Sequence, residues 1–312
     1  MGRVGVIVGA GAAFAAALAL AIAGAGEHPG ALSNWQALVL GLVQGATELL
    51  PISSSGHLIL LPWLADWTYL KDNDDFHQTF DVALHLGTFI AVALYFRHDV
   101  VSLVAAVLSS LRRRRIENPT ERLAWYIVVA TIPAAVVGAL GEELIAEHLG
   151  EPWQIAILLA AFAVVLWIAD RSRAERKVAD LRLADAVTVG LVQTLALMPG
   201  VSRSGVTISA ARFLGLDRDA AARFSFLLLL PTTLGAVVWK GVTDVVLADL
   251  PPGSTGPFVV GTLAAAVSGL AAIWALLGYV RTRTYSIFVL YRLVAAALIG
   301  LIILTGVREA GF

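Results

Sequence analysis

The chain has 312 residues, of which only 14% are Asp, Glu, Lys or Arg and 58% are hydrophobic, with a mean hydropathy of +0.81. Soluble domains are about a quarter charged, so this composition excludes a disordered chain, a nucleic-acid binder and an ordinary cytosolic enzyme. Net charge is -1, from 22 basic and 23 acidic residues, and names no partner; the sequence holds no cysteine, which removes disulfides, thiolate zinc sites and cysteine nucleophiles. The composition is that of an integral membrane protein, polytopic and all-α.

A helix needs about 20 mostly apolar residues to cross a hydrocarbon core about 30 Å thick. The first apolar stretch, 4–26, follows Arg3 and precedes the polar patch Glu27-His28-Pro29-Gly30. Its cationic start and small residues (Ala21-Ile22-Ala23) suit a signal peptide. Its apolar run exceeds the about 7–15 residues of a signal core, which favours a retained extra span. Residues 1–33 are therefore set apart as an N-terminal apolar segment. Simple spans follow at 81–97, 122–140, 153–170, 223–240, 257–280 and 286–307. Two further stretches, 36–64 and 185–215, are interrupted by LPISSSGH at 50–57 and MPGVSRSG at 198–205. Broken backbone in lipid leaves polar groups unpaired, so each break is expected inside protein or beside a wet cavity. Both stretches read as re-entrant helix hairpins.

Loop charges alternate. Arg97, Arg112 to Arg115 and Arg122 follow the first span; Arg171, Arg173, Arg176, Lys177 and Arg182 follow the third; Arg281 and Arg283 follow the fifth. The opposite loops are acidic, with Asp66, Asp72, Asp74 and Asp75, then Glu142, Glu143, Glu147 and Glu151, then Asp244 and Asp249. The positive-inside rule makes the arginine loops cytoplasmic. The first hairpin then enters from outside and the second from the cytoplasm.

An offset of 149 residues lays 37–59 over 186–208 with nine identities in 23 positions. Four are consecutive (Leu42, Val43 and Gln44 with Gly41, against Gly190 to Gln193), and three surround the break (Ser53, Ser55 and Gly56 against Ser202, Ser204 and Gly205). Paired broken helices entering from opposite faces imply an inverted repeat with a midplane site between them. The expected organisation is one membrane-embedded domain, 34–312, with halves of about 34–140 and 153–307.

The breaks carry the chemistry. Gln44 and Glu48 stand four residues apart on one helix face, and a carboxylate in so apolar a segment needs a cation, a partner or water. Ser53, Ser54, Ser55 and His57 follow, the serines suited to capping a restarting helix or to meeting an anion. In the second break Arg203 offers a planar fork for phosphate oxygens, with a structural ion pair to Glu48 as the competing reading. Ser202, Ser204 and Thr207 add hydroxyls, Gly200 and Gly205 permit close backbone approach, and the following helix start is an anion site. Asp81 and His85 share a helix face at an outer span end, and Arg292, beside Tyr291, reads as a structural intramembrane charge. These groups suit phosphate-ester or anhydride chemistry at a membrane. A transporter of the same substrate class is the rival reading, since carriers are also built from inverted repeats.

These residues closely resemble the undecaprenyl-diphosphate phosphatase family, the bacterial membrane enzymes associated with bacitracin resistance. Its two signatures stand here as Gln44 to Glu48 running into PISSSGH, and as Pro199 to Thr207; the resemblance covers about 35–307. It implies hydrolysis of undecaprenyl diphosphate to undecaprenyl phosphate and inorganic phosphate, in the bacterial plasma membrane, with the site open to the outer face. It implies Glu48, His57, Ser54, Arg203, Ser202 and Thr207 as functional positions. Together with the reading of the two breaks, Glu48, His57, Ser54 and Arg203 are expected as catalytic positions, and Gln44, Ser53, Ser55, Ser202, Ser204, Gly205 and Thr207 as substrate-binding ones. His57 is base for water or Ser54, or itself the phosphoryl acceptor. A divalent cation, Mg²⁺ or Ca²⁺, is expected on Glu48 with Gln44; because Gln44 replaces a glutamate that the pattern allows, two carboxylates are not on offer. The expected partners are the polyprenyl diphosphate, membrane lipids and a second copy of the chain in a homo-oligomer.

Overall fold

The computed structural model describes residues 32–67, 69–70, 73–240 and 253–311; the expectation for 4–26 lies outside them. The described residues are helical, with one isolated backbone bridge between Arg176 and Leu216. In chain order the helices are α1 (Asn34–Leu49), α2 (Ser54–Ala65), α3 (Asp74–Tyr95), α4 (Arg97–Arg113), α5 (Pro119–His148) and α6 (Pro152–Asp170). They continue as α7 (Leu183–Gln193), α8 (Arg203–Phe213), α9 (Arg218–Lys240), α10 (Thr255–Val280) and α11 (Ser286–Leu304).

Six of them, α3, α5, α6, α9, α10 and α11, contain stretches long and apolar enough to cross a membrane, at 76–95, 119–141, 152–170, 218–239, 255–280 and 286–304. These coincide with the six spans expected from hydropathy, moved by a few residues at their ends. Large apolar side chains on them face outward, among them Leu140, Trp274 and Leu304, as lipid contact requires. Both interrupted stretches are helix–break–helix: α1 and α2 flank 50–53, while α7, a 3-10 turn at Thr194–Leu197 and α8 flank 198–202.

Local chemistry sets the helix ends. Ser33 begins α1 with a reciprocal cap, its Oγ accepting from Gln36 N–H at 3.1 Å while Gln36 Oε1 accepts from Ser33 N–H at 2.9 Å. At the interrupted stretches Ser53 caps α2 and Ser202 caps α8, each accepting from the N–H three residues on, Gly56 at 3.4 Å and Gly205 at 3.1 Å.

Helix α10 is the central strut and packs along both α1 and α3. The seam is lined by small residues. A Cβ at Gly41 would lie 2.3 Å from the Gly261 carbonyl oxygen, and one at Gly87 2.3 Å from that of Thr262. Hydroxyls tie the same seam: Thr262 donates to the Ala83 carbonyl at 3.0 Å and Ser268 to that of Gly41 at 3.4 Å. Between apolar helices in lipid, close packing and such hydrogen bonds replace the hydrophobic drive. This contact fixes the face of α1 that carries Gln44 and Glu48.

Gly41→Val is therefore expected to separate α1 from α10, at a cost of about 1–3 kcal/mol or more from overpacking. A thermal melt of the purified protein in detergent checks it: a lowered Tm is expected, and an unchanged one would contradict the seam.

Candidate active site

The two breaks share an uncommon backbone. Ser53 has φ 76° and ψ 98°, and Ser202 has φ 77° and ψ 113°. A residue with a side chain held there costs on the order of 1–3 kcal/mol, so surrounding contacts must hold it in place. They cross from one break to the other. Gly200, at φ 100°, donates its N–H to Ser53 Oγ at 3.1 Å, and Ser204 Oγ donates to the Leu50 carbonyl at 3.0 Å.

Arg292 supplies the largest share. Its side chain is fully buried and donates to the carbonyls of Pro51 in one break and of Gly200 and Val201 in the other, at 2.9–3.3 Å. It also reaches Leu159 at 3.1 Å and Leu158 at 3.4 Å on α6. No carboxylate partners it among the described residues. The guanidinium thus links α6, α11 and both breaks and leaves a positive charge beneath them.

Glu48 closes the site from the other side. Its Oε1 accepts from Arg203 Nε and Nη2, both at 3.1 Å, and Arg203 Nη1 donates to the Ser225 carbonyl at 2.9 Å. Its Oε2 accepts from Ser54 Oγ, lies 3.4 Å from Gln44 Nε2 and 3.5 Å from His85 Nε2. His85 Nδ1 donates to the Asp81 carbonyl at 2.7 Å, which turns Nε2 toward Glu48. Ser54 and Arg203 occupy matching positions, each the first residue of its helix and 149 apart in sequence.

His57 faces elsewhere. Its Nδ1 lies 2.6 Å from the Ser53 carbonyl oxygen, to which it can only donate, so Nε2 carries the lone pair of the neutral ring. Tyr291 OH donates to that Nε2 at 2.6 Å and its ring stacks on the imidazole, with centroids 5.6 Å apart. His57 forms no hydrogen bond to Glu48 or Arg203.

The structure therefore joins Glu48, Gln44, Ser54 and Arg203 directly. Four of the remaining hydroxyls are turned to the protein: Ser53 and Ser202 cap helices, Ser204 holds Leu50, and Thr207 Oγ1 bonds the Arg203 carbonyl and Ser225 Oγ, both at 2.7 Å. Ser55 and Gly205 sit on the first turns of α2 and α8. Sequence reasoning placed Asp81 and His85 at the outer end of a span and Arg292 in a structural role. It missed Tyr291 as the partner of His57. A histidine and a tyrosine within apolar spans are themselves the signal that was available, since such groups are rare there without a partner.

An oxygen-binding cation has suitable donors here. Gln44 Oε1 is buried without a hydrogen-bond partner beside the Glu48 carboxylate and Ser54 Oγ, a hard-oxygen set. Among the described residues no group of three or more His, Asp or Glu could hold a metal ion, so ligand oxygens would have to complete the shell.

Residues 37–298 match the family model described as "Bacitracin resistance protein BacA". The chain belongs to this family. It is also similar to proteins named undecaprenyl-diphosphatase from Geobacter metallireducens (47% identical, 84% of this chain and 95% of the relative) and Trichlorobacter lovleyi (47%, 87% and 97%). A third such relative, from Moorella thermoacetica, is 46% identical over 85% of this chain and 95% of its own length. The matched region of the BacA family takes in both breaks, α10 and Arg292.

Arg292→Met should leave several buried carbonyls without a donor and cost about 3 kcal/mol or more. The melting temperature of the purified variant measures this; one within about 2 °C of wild type would show that the breaks hold without the guanidinium.

Proposed function

We propose that this BacA-family chain removes the terminal phosphate of undecaprenyl diphosphate, releasing inorganic phosphate and the monophosphate lipid carrier used in cell-wall synthesis. The observation that carries the reading is the Glu48–Arg203 pair with Ser54, built from both breaks, in a chain whose relatives bear the undecaprenyl-diphosphatase name. Phosphate release from the lipid by purified protein in detergent is the decisive assay. A carrier that only moved the lipid would bind it and release none.

In this reading the diphosphate oxygens take over N–H groups of Arg203 that Glu48 holds at rest, and the guanidinium stabilises charge as the terminal P–O bond breaks. Arg292 adds a buried positive charge, while the first turns of α2 and α8 present N–H groups and positive dipole ends. His57 Nε2 holds the lone pair able to take a proton from attacking water once Tyr291 yields it. Glu48, Gln44 and Ser54 would hold a divalent cation, Mg²⁺ or Ca²⁺, which when bound neutralises phosphate charge.

The same reading makes 34–312 a single membrane-embedded domain in which α1–α2 and α7–α8 are re-entrant hairpins of an inverted repeat. The offset identities, the matching Ser53 and Ser202 caps and the buried pair Gln44 and Gln193 support it. The basic loops set the orientation, with the site open to the outer face of the plasma membrane.

Arg203→Lys is expected to lower activity at least about tenfold although charge is kept, because an ammonium cannot replace the planar fork that spans Glu48 and the Ser225 carbonyl. Activity within about threefold of wild type would remove Arg203 from phosphate binding. Glu48→Gln should lose activity and the response to added Mg²⁺ or Ca²⁺ together. A partly active variant with an unchanged divalent-ion titration would overturn the cation assignment.

A further inference from the structure

A polar cavity of about 760 Å³ opens at the arginine-rich end of the bundle, away from Glu48 and Arg203. It lies where α6, α8 and α10 end and α9 and α11 begin. Six cations line it, Arg171, Arg173, Lys177, Arg212, Arg218 and Arg281, against the carboxylates of Asp170, Asp217 and Asp219.

All three carboxylates are already engaged. Asp170 pairs with Arg218 Nε at 2.5 Å and accepts the Tyr285 N–H at 2.9 Å. Asp217 pairs with Lys177 and accepts the Ala220 N–H at 2.7 Å; these contacts outweigh its partial burial and hold it below the usual carboxylate range. Asp219 pairs with Arg223 at 2.8 Å and Arg281 at 3.1 Å. Arg171 and Arg173 have no carboxylate among the described residues. Within the wall, Arg212 Nε is buried without a hydrogen-bond partner, its nearest carboxylate oxygen, on Asp170, being 3.8 Å away.

Orientation alone does not require this arrangement. The run Arg112 to Arg115 lies on and just after α4, and none of it lines the cavity. Here the charge surrounds a concavity instead, and the cavity borders an outward-facing apolar surface: Trp167 of its lining is 42% exposed on the same helix as the outward-facing Val164 and Ile168. The Arg171 guanidinium lies on the Trp167 ring at 3.2 Å from its centroid, which leaves the N–H edge of the fork for an acceptor.

We propose that this cavity binds a phosphate-bearing anion, with Arg171 and Arg173 as the cations that take it. The anion is either the headgroup of an acidic phospholipid of the adjacent leaflet or free phosphate; the chemistry of recognition is shared. The inference does not depend on the phosphatase reading.

Native mass spectrometry of the full chain, titrated with phosphatidylglycerol and phosphatidylcholine, tests the lipid source. Wild type should hold phosphatidylglycerol about tenfold more tightly, the R171A/R173A variant should lose that preference, and R114A/R115A should keep it. Melting curves in lipid-free detergent with added inorganic phosphate test the free anion: wild type is stabilised and R171A/R173A is not. Two results would overturn the proposal. One is wild type that neither prefers phosphatidylglycerol nor responds to phosphate. The other is an equal loss in R114A/R115A, which would reduce the effect to diffuse surface charge.

Discussion

Arg292 is the constraint on which the site rests. Two serines stand in a backbone conformation that side chains disfavour, at the points where two helices are interrupted. Their neighbours' carbonyls converge on one guanidinium that has no counter-ion among the described residues, and the donors of that fork satisfy peptide oxygens that would otherwise be buried unpaired. An aliphatic side chain would pack there but leave those oxygens stranded. Charge and structure are joined in one group: the cation that holds the breaks also places a positive charge beneath them. The tight seam of α10 against α1 then brings Glu48 to meet them.

The spans were legible because lipid imposes a composition on any helix that crosses it, and six long, mostly apolar runs leave little freedom. The breaks were legible for the opposite reason: serine, glycine and proline clusters are out of place in such a run. Residue type alone could not say which way the hydroxyls point. Ser53, Ser202, Ser204 and Thr207 read equally well as phosphate donors or as backbone partners, and the structure gives each of them a bond within the protein. Capping and cross-break contacts depend on the distance between the two breaks in space, which spacing along the chain does not contain.

His85 and Tyr291 show the same limit at longer range. Each sits on a long apolar helix whose rotation decides whether it meets an interrupted stretch or faces outward. His85 lies on α3, which packs against α1, and so reaches Glu48; Tyr291 lies on α11 and so reaches His57. Helix rotation comes from the packing of neighbours such as Gly41 on Gly261. The glycines were visible in the sequence, but their partners were not.

The pairing of Glu48 with Arg203 has a consequence for turnover. A site that holds its own carboxylate against its own guanidinium contains a tethered competitor for every anion that visits it. In the proposed reaction the diphosphate carries the charge to displace that competitor, whereas each product carries less and contests the guanidinium less well. As the reaction divides the charge between two molecules, the carboxylate regains its partner and the balance moves toward departure. In the proposed reaction, such a pocket closes on itself when the work is done.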